Sequence, residues 1–198
     1  PVVTAAEEPD ALKVITDTAR EKNSPLNVVK REQLTATIAS PLPGEHQRLN
    51  AALAIATVNA LQKQIPVKAN QIRSGLSHVD WPGRLQLVKT SGGQSILLDG
   101  AHNVAGVRAL RSALQANFKG QKLSLILGVL EDKDWRHICE TLAPLAERIL
   151  TLPVSSNRSA DAKLLAEACR AANPACEVAA CSSLKEALER SASDAFLV

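Results

Sequence analysis

The chain has 198 residues, 45% apolar and 22% charged, with a net charge of +3, enough for one large domain or two small ones around a packed core. No apolar run approaches the roughly 20 residues of a membrane-spanning helix, and no charged-then-apolar leader precedes Pro1; the sequence predicts a cytoplasmic protein with no membrane partner. Basic residues are scattered, and two Phe, two Trp and no Tyr leave few stacking platforms for nucleic acid, which is excluded as a partner.

Taken in chain order, Val2 to Ala5 reads as a strand, Pro9 to Lys22 as a helix and Leu26 to Val29 as a second strand. A break rich in Pro and Gly, Ser40-Pro41-Leu42-Pro43-Gly44, precedes an Ala-rich helix from Glu45 to Gln64 and a shorter one from Ala69 to His78. Two strands cannot shield an apolar face unaided, so this first part reads as the tail of a larger α/β domain. Trp81-Pro82-Gly83 reads as a hinge, because Pro and Gly together end a helix and turn the chain. The start on Pro1-Val2-Val3 and the stop on Phe196-Leu197-Val198 both look cut inside structure, as in an excised piece of a longer protein.

Gly92-Gly93 reads as a hairpin turn between two strands. From Ile96 onward, short apolar runs alternate with amphipathic stretches. Strands are predicted at Ile96 to Leu98, Leu123 to Val129, Ile149 to Val154, Glu177 to Ala180 and Phe196 to Val198. Helices are predicted at Val104 to Asn117, Trp135 to Glu147, Ala160 to Ala172 and Leu184 to Ser191, the last opened by a Ser183/Glu186 capping box. Buried strands alternating with helices define an α/β fold with a Rossmann-like, mostly parallel sheet, doubly wound.

Three constellations could carry chemistry. Leu98-Asp99-Gly100-Ala101-His102-Asn103 stands at a strand's carboxyl end before a helix, the edge where open α/β sheets bind ligands and helix amino termini offer N–H groups to anions. Asp99 suits ribose hydroxyls and His102 a carboxylate or phosphate; equally, Asp99 and Asn103 could simply turn and cap the chain, with His102 on the surface. In Gly44-Glu45-His46-Gln47-Arg48-Leu49-Asn50, helical spacing puts His46, Gln47 and Asn50 on one face. The Asn50 amide could read an adenine edge, or all three could be ordinary polar residues at a helix start. Arg84, following Trp81-Pro82-Gly83, suits phosphate oxygens or an interdomain ion pair. In Glu131-Asp132-Lys133-Asp134, Lys133 could neutralise an anion at the same sheet edge, or the run could be a solvated loop with Asp134 as N-cap.

Other chemistries find no support. There is no GxxxxGK[ST], HExxH, nucleophile elbow or strand-borne GxGxxG. Cys139, Cys169, Cys176 and Cys181 have no metal-site spacing and read as reduced thiols.

The order His46-Gln47-x-x-Asn50-Ala51-Ala52, Trp81-Pro82-Gly83-Arg84, Leu98-Asp99-Gly100-Ala101-His102-Asn103 and Asp132-Lys133-Asp134 resembles the dihydrofolate synthase/folylpolyglutamate synthase family of the Mur ligase superfamily, over essentially the whole chain. One departure is Val104 where the family usually has Pro, a position of helical convenience. The resemblance implies that residues 1–80 are the truncated tail of a central, ATP-binding domain and residues 81–198 a carboxyl-terminal Rossmann-like domain, cut at its last strands. It implies an ATP-dependent amide-forming ligase that activates a folate or dihydropteroate carboxylate as an acyl phosphate and joins it to L-glutamate. Asn50 would contact adenine, Arg84 a phosphate and Asp99 the ribose, with His46 and Gln47 close to the nucleotide. His102 would hold the incoming glutamate or its tetrahedral intermediate, with Lys133 in the same cleft. ATP and magnesium are the implied cofactors, the magnesium ligands lying mostly in a missing amino-terminal part with the phosphate-binding loop, and the family leans towards monomers. Without that loop, these residues alone are expected to be inactive. Other Mur-type amino-acid ligases, or a non-catalytic nucleotide- or partner-binding module, are the competing readings.

Overall fold

Strands β1 (Val2–Thr4) and β2 (Leu26–Val28) pair in parallel, Val2 opposite Leu26, in a computed structural model that describes residues 1–33 and 41–198. Between them runs α1 (Pro9–Glu21), opened by Pro at its first position and Asp10 in its first turn. Ser40, the first residue of the Pro/Gly-rich break, lies outside the described residues. Helices α2 (Glu45–Ala60) and α3 (Ala69–Ser77) follow. Helix α2 stops short of the expected Gln64. The Gln62 side-chain amide donates to Val67 O at 2.9 Å and accepts from Val67 N at 3.1 Å, which closes the chain into a turn where the helix would have continued. These elements belong to a first unit, Pro1–Trp81, and the remainder forms a second, Pro82–Val198.

The second unit is built on a six-stranded sheet. Strands β3 (Gln86–Lys89) and β4 (Ser95–Leu98) form an antiparallel hairpin, turning at Gly93 with φ +86°. The helices are α4 (Val104–Asn117), α5 (Trp135–Leu142), α6 (Ala162–Ala172) and α7 (Leu184–Arg190). They alternate with β5 (Ser124–Leu127), β6 (Arg148–Thr151), β7 (Glu177–Ala180) and β8 (Phe196–Leu197), and the strand order is β3-β4-β8-β5-β6-β7. All pairs after the hairpin are parallel.

Alternation along the strands splits the apolar side chains between two faces. Leu125, Leu127 and Ile149 join Val107, Leu110, Ile138, Leu142 and Leu165 of α4, α5 and α6, while Ile126, Leu150, Leu152 and Ala179 meet Ala187 of α7. Crossovers of one hand account for this division: the chain moves one way along the sheet through α4, α5 and α6, and returns through α7 to lay β8 between β4 and β5. Both faces of the sheet carry helices, as expected of a doubly wound sheet.

Several ends fall short of expectation. Helix α5 gives way to a tighter turn at Ala143–Leu145, because Pro144 brings no N–H to continue it. Strand β6 stops at Thr151, with Pro153 two residues beyond. The Ser183/Glu186 box is shifted. Ser183 Oγ accepts from Glu186 N, but the Glu186 carboxylate takes Ser182 N and Ser182 Oγ, at 2.7 and 2.6 Å, in place of Ser183 N.

Strand β5 ends before Gly128, where a Cβ would stand 2.8 Å from Val154 Cγ1 and 3.1 Å from Leu152 O. Gly128→Ala should therefore lower the unfolding free energy in urea by about 1–3 kcal/mol, as overpacking does; an unchanged midpoint would show that the two loops separate freely.

Candidate functional site

The residues after the Trp81-Pro82 step make a strained turn. Gly83 has φ +74° and Leu85, a buried side chain, has φ +48°. A leucine in the left-handed region costs on the order of 1–3 kcal/mol and persists only where neighbours hold it. Three hydrogen bonds do so. Leu85 N donates to Asp99 Oδ2 at 2.9 Å, Gly83 N to Gln86 Oε1 at 3.0 Å, and Gly100 N to Gly83 O at 2.9 Å. Asp99 Oδ1 accepts from Ala101 N at 2.9 Å. Each carboxylate oxygen thus holds one backbone N–H and keeps one lone-pair position.

Gly100 lies at the centre of this arrangement. Its carbonyl is 2.8 Å from His102 Nδ1. A carbonyl only accepts, so Nδ1 carries the hydrogen and Nε2 of the exposed ring is left with its lone pair, or with a second hydrogen when the ring is protonated. A Cβ placed on Gly100 would lie 3.0 Å from Arg84 Nη1. Among the described residues the Arg84 side chain has no hydrogen-bond or ion-pair partner. Asn103 Oδ1 accepts from Gly106 N at 2.8 Å and caps α4. Arg84, Asp99 and His102 are therefore brought together.

Lys133 sits in the loop after β5, on the same carboxyl edge because β4 and β5 run in parallel with β8 between them. It makes no bond to the Arg84, Asp99 and His102 group. Its Nζ is 3.3 Å from Asp132 Oδ2, and Arg158 Nη1 is 3.5 Å from Asp132 Oδ1. Hydrogen bonding to Lys133 and the nearby Arg158 charge hold the Asp132 carboxyl below the usual carboxylate range. Asp134 caps α5 through His137 N at 3.3 Å.

In the first unit, Asn50 Nδ2 donates to Gln47 Oε1 and Gln47 Nε2 to His46 Nε2, both at 3.0 Å. Gln47 is 6% exposed and Asn50 is exposed. The three side chains do share a face, but Gln47 is a buried bridge with both amide atoms in use.

A cleft of about 740 Å³ opens elsewhere on the second unit, lined by Glu131, Trp135, Asp161, Lys163 and Glu186. None of Arg84, Asp99, His102 or Lys133 lines it. Two of its acids are already engaged, Asp161 as the cap of α6 and Glu186 on Ser182. Hydrogen bonding with Cys169 holds the Cys139 thiol below its ordinary range, but Cys139 is fully buried and out of reach of a ligand. Burial pushes the Cys176 thiol up to about 11, and the adjoining Cys139 together with burial pushes Cys169 far up.

Sequence reasoning missed Leu85 and Gly100. A positive φ on a leucine has no sequence signature, and Gly100 was legible only as part of a turn.

A mostly parallel α/β domain with an unpaired guanidinium and a positioned imidazole at the carboxyl edge of its strands has the chemistry to accept an anionic ligand there. Residues 83–196 match the family model described as Mur ligase, glutamate ligase domain, and the chain belongs to the Mur ligase family. It is 31% identical over 196 residues to the dihydrofolate synthase/folylpolyglutamate synthase of Bacillus subtilis (strain 168), covering 87% of this chain and 45% of that protein. Among solved structures it is similar to Mycobacterium tuberculosis folylpolyglutamate synthase complexed with ADP, with a TM-score of 0.84 and 26% identity over 96% of this chain and 47% of the other. It is also similar to a bifunctional folylpolyglutamate synthase/dihydrofolate synthase with Mn, AMPPNP and L-glutamate bound, with a TM-score of 0.76 and 26% identity over 99% and 48% of the two chains. The chain thus spans about half the length of the relatives it matches.

Asp99→Asn removes one of the two oxygens that hold Leu85 N and Ala101 N. The expected outcome is a loss of about 1–3 kcal/mol in denaturant unfolding, the cost of a stranded backbone donor, with faster amide hydrogen exchange at Leu85 or Ala101. Unchanged exchange at both would refute the clamp.

Proposed function

We propose that this chain is part of an ATP-dependent ligase that joins L-glutamate to a folate or dihydropteroate carboxylate through an acyl phosphate. The observation that carries the reading is the gathering of an unpartnered Arg84 guanidinium and the open Nε2 of His102 around Gly100, inside a match to a glutamate ligase domain. The residues from 81 onward serve as the carboxyl-terminal domain and residues 1–80 as the tail of the ATP-binding central domain. A cytoplasmic, monomeric enzyme acting on small molecules fits this reading, and among the described residues no helix is long and apolar enough to cross a membrane.

The reaction transfers the terminal phosphoryl group of ATP to the substrate carboxylate; the glutamate amine then attacks the acyl carbon and phosphate leaves. Charge builds on oxygen in both steps, and fixed cations stabilise it most where water is excluded. Arg84 suits a nucleotide phosphate, since a planar guanidinium makes paired bonds to its oxygens. Asp99 can still accept from a ribose hydroxyl through its remaining lone pairs, while its other duty is to hold the turn. Asn50 would read adenine, with His46 and the buried Gln47 setting its orientation. Protonated, His102 binds the glutamate carboxylate or the tetrahedral oxyanion through Nε2–H; neutral, it accepts a hydrogen bond from the amine. Lys133 joins the same charge once it leaves Asp132. The roles proposed for this chain's residues are binding and orientation, with the magnesium ligands mostly in the amino-terminal part of the ligase.

The test is a ligation assay on the intact ligase that contains these residues, offering dihydropteroate, tetrahydrofolate or a muramyl peptide with ATP and candidate amino acids. Glutamate addition to a pteroate or folate is expected, and activity confined to the muramyl substrate would defeat the folate assignment. His102→Ala should lower kcat about 10²-fold, the usual cost of one oxyanion donor, with little change in the KM for ATP. The 198 residues alone should show no turnover.

A further inference from the structure

Gly100 is a glycine for reasons of space. Positive φ angles explain Gly83, Gly93 and Gly120, but Gly100 is not among the glycines with such an angle, so its backbone would accept an alanine. Its N–H and carbonyl are committed to Gly83 O and His102 Nδ1, bonds that any residue could make. What alanine would change is one contact. Its Cβ would lie 3.0 Å from Arg84 Nη1, with Gly83 O at an ordinary 3.6 Å. The guanidinium occupies the space beside the bare Cα, so that an added Cβ would stand inside the roughly 3.5 Å of a comfortable non-bonded contact.

We propose that Gly100 is a positioning residue for Arg84: by lacking a side chain it lets the guanidinium lie against the Asp99-Gly100 step, and it thereby sets where Arg84 meets its anion. Among the described residues Arg84 has no partner to fix its place, so the surface it lies on does so. A methyl group at this point displaces the far end of a flexible side chain by a few tenths of an ångström and leaves the hydrogen-bonded turn intact. The same glycine that holds the His102 ring through its carbonyl therefore sets the guanidinium through its missing Cβ. This inference rests on the proposed use of Arg84 against a nucleotide phosphate.

The experiment is a double-mutant cycle in the intact ligase, with Arg84→Ala, Gly100→Ala and the pair, reading thermal midpoint, kcat, and KM for ATP and for glutamate. Arg84→Ala should raise the KM for ATP about tenfold or more, as loss of a charge-assisted bond does. Gly100→Ala should raise it about three- to tenfold, in keeping with the cost of a sub-ångström misplacement, with an unchanged thermal midpoint and little effect on the KM for glutamate. The pair should be no worse than Arg84→Ala alone. If Gly100→Ala costs the same factor with and without Arg84, glycine serves the direct approach of ligand or the fold, and the proposal is wrong. If Arg84→Ala leaves the KM for ATP unchanged, the nucleotide role of Arg84 itself falls, which is a separate and visible failure.

Discussion

The Asp99 carboxylate is the constraint on which the site depends. Alone, a turn with Gly83 at φ +74° and Leu85 at φ +48° would relax, since the left-handed region is uphill for a leucine. Asp99 stops this by taking Leu85 N on one oxygen and Ala101 N on the other. One side chain at the end of β4 thus fastens both the turn that carries Arg84 and the entry to the loop that carries His102. Burying Leu85 in the core on the α4 face adds a second anchor, so the strain is balanced by packing on one side and by a charged acceptor on the other.

The clamp also decides the electrostatics. An aspartate close to an arginine ordinarily forms an ion pair, and a paired guanidinium has little left for a ligand. Here the carboxylate is turned to backbone N–H groups, and the guanidinium is left unpartnered over Gly100. Asp99 thereby orders the cation without neutralising it through contact. His102 is ordered in the same way, by a neutral carbonyl that fixes its tautomer and leaves Nε2 open. Both groups reach the carboxyl edge of the sheet pre-oriented, which lowers the entropy that binding must overcome.

Much of this architecture was legible in the sequence because it follows from periodicity. Leu125 and Leu127 facing one layer and Ile126 the other is the alternation a two-sided parallel sheet imposes. The caps at Asn103 and Asp134 were legible for the same local reason. What escaped depended on contacts distant in sequence. Gln62 reaching Val67 ended α2 early, and Ser182 outcompeted Ser183 for the Glu186 carboxylate. Gln47 was placed on the right face, but its burial between His46 and Asn50 depends on packing that no spacing rule reports. For Arg84 the sequence offered phosphate binding or an interdomain ion pair. Its position over Gly100 required the chain to fold back on itself between Leu85 and Asp99, fourteen positions apart.

Lys133 stands apart from the clamped group, and its present contact bears on the role proposed for it. Its pairing with Asp132 is a contact between partly exposed neighbours in a loop, worth about 0–1 kcal/mol at most. An incoming phosphate or carboxylate with more than one available oxygen outweighs that easily. Asp132 would not be stranded, because Arg158 already stands 3.5 Å from its other oxygen. The loop itself stays in place, tied by Glu131 N to Arg158 O at 2.7 Å and by the Leu130–Ser159 bridge. One cation at this edge thus rises from a clamped turn and rests against Gly100, and the other is held on a weak, replaceable partner. In the ligase proposed above, that division suits a site where one anion must be gripped throughout and another charge appears only during the reaction.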